Sequence, residues 1–395
     1  MTDETGKKRR LVDQAIRFFA DGRFKEASAL FEKIVEAHPS DALAYFNLGC
    51  AQQEGGRLTA ALASYRRATS LAPKLAKAWN NLGQTLVETG ALSEAADCYR
   101  RALVHAPNHV SARRSLKSTT LPDWARAMTQ WQGDAVPDAR LVLHSNRGIG
   151  DAIEWLRFLP WVTARAGHLQ ITAQDELVDL LRLSGIDAAV APTPAEGDYV
   201  APLSALRYLL FGDDAPPAVT FPYLKVPTDA VQRWQRDILG PEGFKIGLVW
   251  AGNAHHPADR QRSMPFETLL PLFQVAGVRF FSLQVGASAA APAGHCSALT
   301  EHLRSFADTA AAVSALDLVI TVDTSVAHLA GALARPVWVL VHRNPDRRWL
   351  RPGVEPPLYP TATLFRQDTP NDWTGVIRHV SDALGAEVGK RPYTA

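Results

Sequence analysis

Cysteine is scarce: Cys50, Cys98 and Cys296 are the only three in 395 residues. They stand at no metal-ligand spacing, and so few exclude a disulfide framework as the source of stability. An excess of charge of one sign is also missing. Lys and Arg number 42 against 40 Asp and Glu, a net charge of +2. No global field therefore draws the chain to nucleic acid or an anionic membrane. Long apolar runs are absent too. The opening MTDETGKKRR is polar, and no stretch after it reads as a signal peptide or a transmembrane span. Cytoplasmic residence is the expectation. What the chain does have is apolar material, 47% of its residues, enough for two or three domains with real cores.

The first third repeats. Pro39, Pro73 and Pro107 are 34 residues apart, and so are Tyr45 and Trp79, Leu48 and Leu82, Gly49 and Gly83, Ala61 and Ala95, Tyr65 and Tyr99, and Ala68 and Ala102. This is the period and pattern of the tetratricopeptide repeat, a helix–turn–helix unit. Three repeats are read at about 8–41, 42–75 and 76–109, with Val110 to Lys117 as a closing helix. The small residues allow close helix approach, and each proline ends a second helix. Stacked pairs make an α-solenoid whose concave face usually binds peptides. Asn47 and Asn81 are placed on that face, where each amide could pair with a peptide backbone, or could simply solvate the surface.

Ser118 to Asp138 breaks the pattern with Pro122, Gly133 and Pro137, and reads as a linker anchored by Trp124 and Trp131. Strands and helices then alternate, which implies mostly parallel sheets with right-handed crossovers. Strands are expected at Arg140–Ser145, His168–Ala173, Ala188–Ala191, Lys245–Ala251, Val278–Gln284, Leu318–Val322, Pro336–Val341 and Thr361–Phe365. The prolines of Phe221–Thr228 mark a boundary. The division expected is repeats over 1–117, a linker over 118–139, and α/β halves over 140–225 and 226–395.

Two polar turns end strands in these halves. Leu318–Val322 stops at Asp323-Thr324-Ser325, where a helix begins that carries His328. Such a turn presents free backbone N–H groups and a positive dipole end at the carboxyl edge of a sheet, where α/β proteins bind nucleotides and phosphates. It could equally be an ordinary junction capped by Asp323. The other turn, Asn146-Arg147-Gly148-Ile149-Gly150-Asp151, lacks the dinucleotide spacing and a Walker lysine. Asp151 is either a helix cap or a carboxylate facing a cleft between the halves. The loop after Lys245–Ala251 carries His255, His256, Asp259, Arg260, Arg262 and Ser263, and its two arginines suit a diphosphate.

The segments GIGDAIEWLRFLP, KIGLVWAGN, DRQRSM and VITVDTSVAHLAGALARPV resemble glycosyltransferase family 9, the heptosyltransferases and their relatives, over residues from about 140 to 385. The resemblance implies a GT-B fold of two Rossmann-like domains. It implies Asp151 as the catalytic base and Asp323, Thr324, Ser325 and His328 as contacts to a nucleotide-sugar donor. Arg260, Arg262 and Ser263, on the loop whose arginines suit a diphosphate, are expected beside that donor's phosphates. Ser325 stands where the family has glycine. The expected reaction is an inverting transfer that needs no metal or other cofactor, with a carboxylate deprotonating the acceptor hydroxyl. A protein acceptor recruited by the repeats fits best. The alternatives are a glycan or lipid acceptor, with the repeats used for assembly, and a non-catalytic nucleotide-binding scaffold.

Overall fold

The structure is a computed structural model and describes residues 2–119, 122–145, 147–194, 196–254, 256, 259–286, 294–343, 345–349 and 358–390. Asn146, His255, Pro257 and Ala258 of the two polar loops lie outside the described residues. The chain divides into two compact units. The first takes in Met1–Arg147, Phe158–Thr172 and Thr193–Ala218; the second takes in Gly148–Arg157, Ala173–Pro192 and Val219–Ala395.

The first unit opens with antiparallel helical pairs: α1 (Thr2–Ala20) and α2 (Phe24–Ala37), α3 (Ala42–Glu54) and α4 (Leu58–Leu71), α5 (Ala76–Glu88) and α6 (Leu92–His105). Helix α7 (Val110–Thr119) follows, two residues longer than the closing helix expected from the sequence. The 34-residue period has a steric cause. A Cβ on Gly49 would lie 2.7 Å from the Tyr65 ring, and one on Gly83 2.7 Å from the Tyr99 ring. The turns inside the pairs place Gly22, Gly56 and Gly90 at positive φ, where glycine carries no Cβ penalty. These three are also 34 residues apart.

The α/β part of this unit has β1 (Thr129–Gln130), β2 (Val136–His144), α9 (Leu159–Thr163), β3 (Ala166–Thr172), β5 (Tyr199–Pro202) and α11 (Leu206–Phe211). Its strands run parallel in the order β1, β5, β2, β3. The stretch read as a linker therefore holds a short strand and the start of β2, with Trp131 buried and its indole N–H donating to Asp134 O at 2.8 Å. The repeats pack on this sheet through their turns. Helix α4 has no capping side chain of its own; Asp213, beyond α11, accepts from Leu58 N at 2.9 Å and from Thr59 N at 3.2 Å. Tyr208 Oη lies 3.1 Å from Thr59 Oγ1, and Leu209 sits against Gly90.

The second unit contains α8 (Ile149–Trp155), α10 (Asp175–Leu183), β4 (Ala189–Ala191), α12 (Thr228–Arg233), β6 (Phe244–Val249), α13 (Asp259–Arg262), β7 (Val278–Ser282), β8 (Ser297–Ala298), α14 (Phe306–Ala315), β9 (Leu318–Val322), α15 (Ser325–Ala332), β10 (Val337–Val341), β11 (Ala362–Arg366) and α16 (Trp373–Gly389). A parallel sheet runs in the order β11, β10, β9, β6, β7, β8. Strand β9 is central and every residue in it is buried, as its unbroken apolar run implies. The segment Phe266–Gln274 between β6 and β7 is a 3-10 helix, and Pro271 inside it cannot donate to an α-helical ladder.

Candidate functional site

Most of the residues singled out in the α/β part meet in the second unit, at the carboxyl end of β9. Thr324 takes the N-cap position of α15 in extended backbone, in place of Asp323, and its side chain makes no capping bond. Its hydroxyl turns inward to Thr321 Oγ1 at 3.0 Å. Arg262 donates from Nη1 to the carbonyl of Asp323 at 3.0 Å, and its guanidinium covers the face of Gly252. Ser263 Oγ donates to Asp259 Oδ1 at 2.8 Å and accepts from Gly252 N at 2.9 Å. The loop after β6 is thus fastened to the turn after β9. Arg260 on the same short helix is exposed.

Helix α8 meets this turn. A Cβ on Gly150 would lie 2.9 Å from His328 Cδ2 and 3.3 Å from Ser325 Cα, so the Gly-Ile-Gly turn fits against the first turn of α15. Next to it, Asp151 Oδ1 is 2.6 Å from Arg348 Nη1. The same guanidinium lies 3.0 Å from Glu154 Oε2 and, through Nε, 3.2 Å from Asp346 Oδ1. Burial opposes the charge on Arg348, but Glu154, Asp346, Asp151 and Asp323 outweigh it and hold the guanidinium protonated well above its usual range.

His328 is buried, with 2% of its side-chain surface exposed. Its Nδ1 is 2.9 Å from Tyr359 Oη, and its Nε2 is 4.0 Å from Asp323 Oδ1. Burial first, and then the Arg348 charge, push its pKa down to about 4, against the pull of Asp323, Asp151 and Asp346. The ring is neutral at neutral pH. Trp349 packs against it at 5.2 Å between ring centres, and Tyr223 donates to Ile153 O at 3.1 Å behind Tyr359.

Glu154, Arg348, Trp349, Tyr359 and Tyr223 were not singled out from the sequence. The run Pro345-Asp346-Arg347-Arg348-Trp349, charged and ending in an aromatic residue, was the signal available for two of them. His342, just after β10, has a pKa lowered by burial, and Arg343 donates to Asp368 O. Among the described residues, no three His, Cys, Asp or Glu side chains are grouped so as to hold a metal ion. In the repeats, Asn81 Nδ2 points to Tyr65 Oη at 3.4 Å and Cys50 Sγ at 3.5 Å, while its Oδ1 accepts from Asn80 at 3.2 Å. Its amide is engaged within the array. Asn47 is half-buried.

These features define a helical-repeat array joined to parallel α/β sheets. The array is tetratricopeptide: a profile of that repeat matches residues 12–76 and 49–110. Protein FlbA of Caulobacter vibrioides is 25% identical over 288 residues, which are 65% of this chain and 48% of FlbA. The chain thus spans about half the length of that relative. Solved structures similar to the repeats include the first repeat domain of Spaghetti (RPAP3) bound to an HSP90 peptide, at 23% identity over 29% of this chain and 91% of that one, TM-score 0.29. The Sgt2 repeat domain of Aspergillus fumigatus is 21% identical over 29% of this chain and 76% of its own, TM-score 0.28. No helix among the described residues is long and apolar enough to cross a membrane.

Proposed function

We propose that this protein is a glycosyltransferase that moves a sugar from a nucleotide-sugar to an acceptor, with its two parallel sheets as the halves of a GT-B fold. The observation that carries the reading is the fit of the Gly148–Asp151 turn against Ser325 and His328. It gathers a carboxylate, a helix N-terminus and the Arg262 loop at one sheet edge, the place and the groups suited to a diphosphate leaving group. In this reading Asp151 takes the proton of the acceptor hydroxyl as that oxygen attacks the anomeric carbon. The nucleoside diphosphate leaves against the Ser325 end of α15, near Arg262. The acceptor is a protein held by the repeats, since stacked helical pairs offer a groove for a peptide.

One observation favours a second reading, a nucleotide-binding scaffold without turnover: Asp151 is already ion-paired with Arg348 at 2.6 Å. Calorimetric titration with a panel of nucleoside diphosphates and nucleotide-sugars tests both. Binding is expected for one base, with Arg262→Ala weakening it by about 1.5–3 kcal/mol, the worth of one charged donor. Binding without hydrolysis or transfer selects the scaffold. No binding by any member of the panel overturns both.

A further inference from the structure

We propose that Tyr359 is a positioning residue that fixes His328 as the tautomer protonated on Nε2, so that a neutral N–H donor faces the Asp323 carboxylate. The inference deepens the reading of this turn as a nucleotide-sugar site, because it makes Asp323 an oriented acceptor for a hydroxyl of the bound sugar.

Two proton arrangements can satisfy the 2.9 Å contact between Tyr359 Oη and His328 Nδ1. In the first, the phenol donates to Nδ1 and the ring proton sits on Nε2. In the second, Nδ1–H donates to the phenol oxygen and Nε2 turns a lone pair toward Asp323. Asp323 Oδ1 lies 4.0 Å from Nε2. A lone pair facing a carboxylate is repulsive, whereas an N–H facing it is attractive, so the carboxylate at 4.0 Å favours the first arrangement and the phenol donating to Nδ1 at 2.9 Å holds it. Tyr223, whose hydroxyl donates to Ile153 O at 3.1 Å, leaves the Tyr359 proton only a longer alternative at 3.5 Å. The Tyr359 proton therefore goes to the nearer and more basic Nδ1.

The surroundings hold both rings in place. Gly331, one turn after His328, gives the Tyr359 ring its room: a Cβ there would lie 2.2 Å from the ring. Trp349 covers the imidazole, and the backbone of Gly150 closes its Cδ2 edge. The charges acting on His328 are Arg348, which lowers its pKa, and Asp323, Asp151 and Asp346, which raise it. Burial keeps the Tyr359 phenol from ionising, so it remains a donor. Asp323, at 21% side-chain exposure, is the member of the chain that a ligand can reach.

The test is a two-bond proton–nitrogen correlation spectrum of the full chain labelled with 15N-histidine, with His328 assigned by its loss in His328→Gln. The ligand-free parent at pH 7 should show His328 neutral and protonated on Nε2. Tyr359→Phe removes only the hydroxyl and should give a mixed tautomer. It should also weaken nucleotide-sugar binding by about fivefold or more, the loss of one hydrogen bond. Tyr223→Phe should keep the parent tautomer, and it serves if Tyr359→Phe does not fold. A parent protonated on Nδ1, or on both nitrogens, overturns the inference. So does a Tyr359→Phe spectrum identical to the parent. A parent that shows the Nε2 proton but binds no nucleotide-sugar keeps the relay and removes the proposed function.

Discussion

The Asp151 carboxylate and the Arg348 guanidinium lie 2.6 Å apart, and Glu154 and Asp346 complete the ring of acids around that one cation. The two members of the pair should respond differently to substitution. Asp151→Asn leaves Arg348 with two carboxylates, so the cost is one charged hydrogen bond, about 1.5–3 kcal/mol. Arg348→Met removes the cation that three acids share and leaves Glu154 only Arg157 at 3.5 Å, at side-chain exposures of 22% for Asp151 and 10% for Glu154. Breaking a buried pair from that side costs about 3–5 kcal/mol. Urea unfolding of both variants should rank Arg348→Met as the weaker. If Asp151 is also the general base, single-turnover transfer by Asp151→Asn drops by roughly a hundred- to ten-thousand-fold. A rate within a few fold of the parent leaves Asp151 a structural partner of Arg348 only.

Asp213 caps a helix that begins 155 residues before it, which ties the repeats to the first sheet. Asp213→Ala should lower stability by about 1 kcal/mol, while Asp213→Asn, which caps about as well, should stay close to the parent. Thermal unfolding of the full chain checks the pair. A chain lacking residues 1–117 would also lose this seat, so it is a poor probe of recruitment. Asn47→Ala tests the groove with less damage than any change at Asn81, whose amide serves the array itself.

The repeats were legible because one steric demand recurs: Gly49 against Tyr65 and Gly83 against Tyr99 leave the same mark at the same interval. Strand β9 was legible because burial on both faces requires an unbroken apolar run. Strand β5 was not: Tyr199–Pro202 is four residues long and ends on a proline, too short for any period to show. The same limit hid the far side of the site. Arg348 and Tyr359 gain their meaning from Asp151 and His328, which are 197 and 31 residues away in sequence. No local pattern records a partner chosen by packing. The strand segments within the linker stayed hidden for a related reason, since Gly133 after β1 and Pro137 inside β2 are tolerated where the sheet, not local propensity, holds the strands in place.

Buried neutral histidines make stability depend on pH. The pKa of His328 is pushed down to about 4 by burial and by Arg348, and that of His144 to about 4 by burial. In the unfolded chain both bind protons near their ordinary value of about 6.5. Between those values the unfolded state binds more protons, so stability rises with pH. The contribution is complete above about pH 6.5 and is lost as pH falls toward 4, on the order of 3 kcal/mol for a fully buried His328. Denaturant unfolding at pH 7, 6 and 5 should show the decline, and His328→Gln should reduce it while leaving the His144 share. A flat profile in the parent would mean that neither histidine is buried neutral.

Gly148 and Gly150 sit two residues apart in one turn, yet they should tolerate alanine very differently. At Gly150 the new methyl would meet His328 Cδ2 at 2.9 Å and Ser325 Cα at 3.3 Å. The second of these is backbone at the start of α15, so relief requires α8 to move away from the helix end. Overpacking of this kind costs about 1–3 kcal/mol. At Gly148 the methyl would meet only Asp151 Oδ2 at 3.6 Å, an ordinary contact. Its backbone, at φ −65° and ψ 162°, is one that alanine adopts freely. Gly148→Ala should therefore match the parent or gain about 0.4–1 kcal/mol from a less flexible unfolded chain. A turn whose glycines exist to admit a ligand to the backbone makes a different demand: both substitutions would then weaken nucleotide binding while leaving stability alone. Thermal unfolding and nucleotide titration of the two variants separate these cases. Loss of stability confined to Gly150→Ala identifies packing against His328 and Ser325 as the constraint, whereas equal loss of binding in both assigns the turn to the ligand.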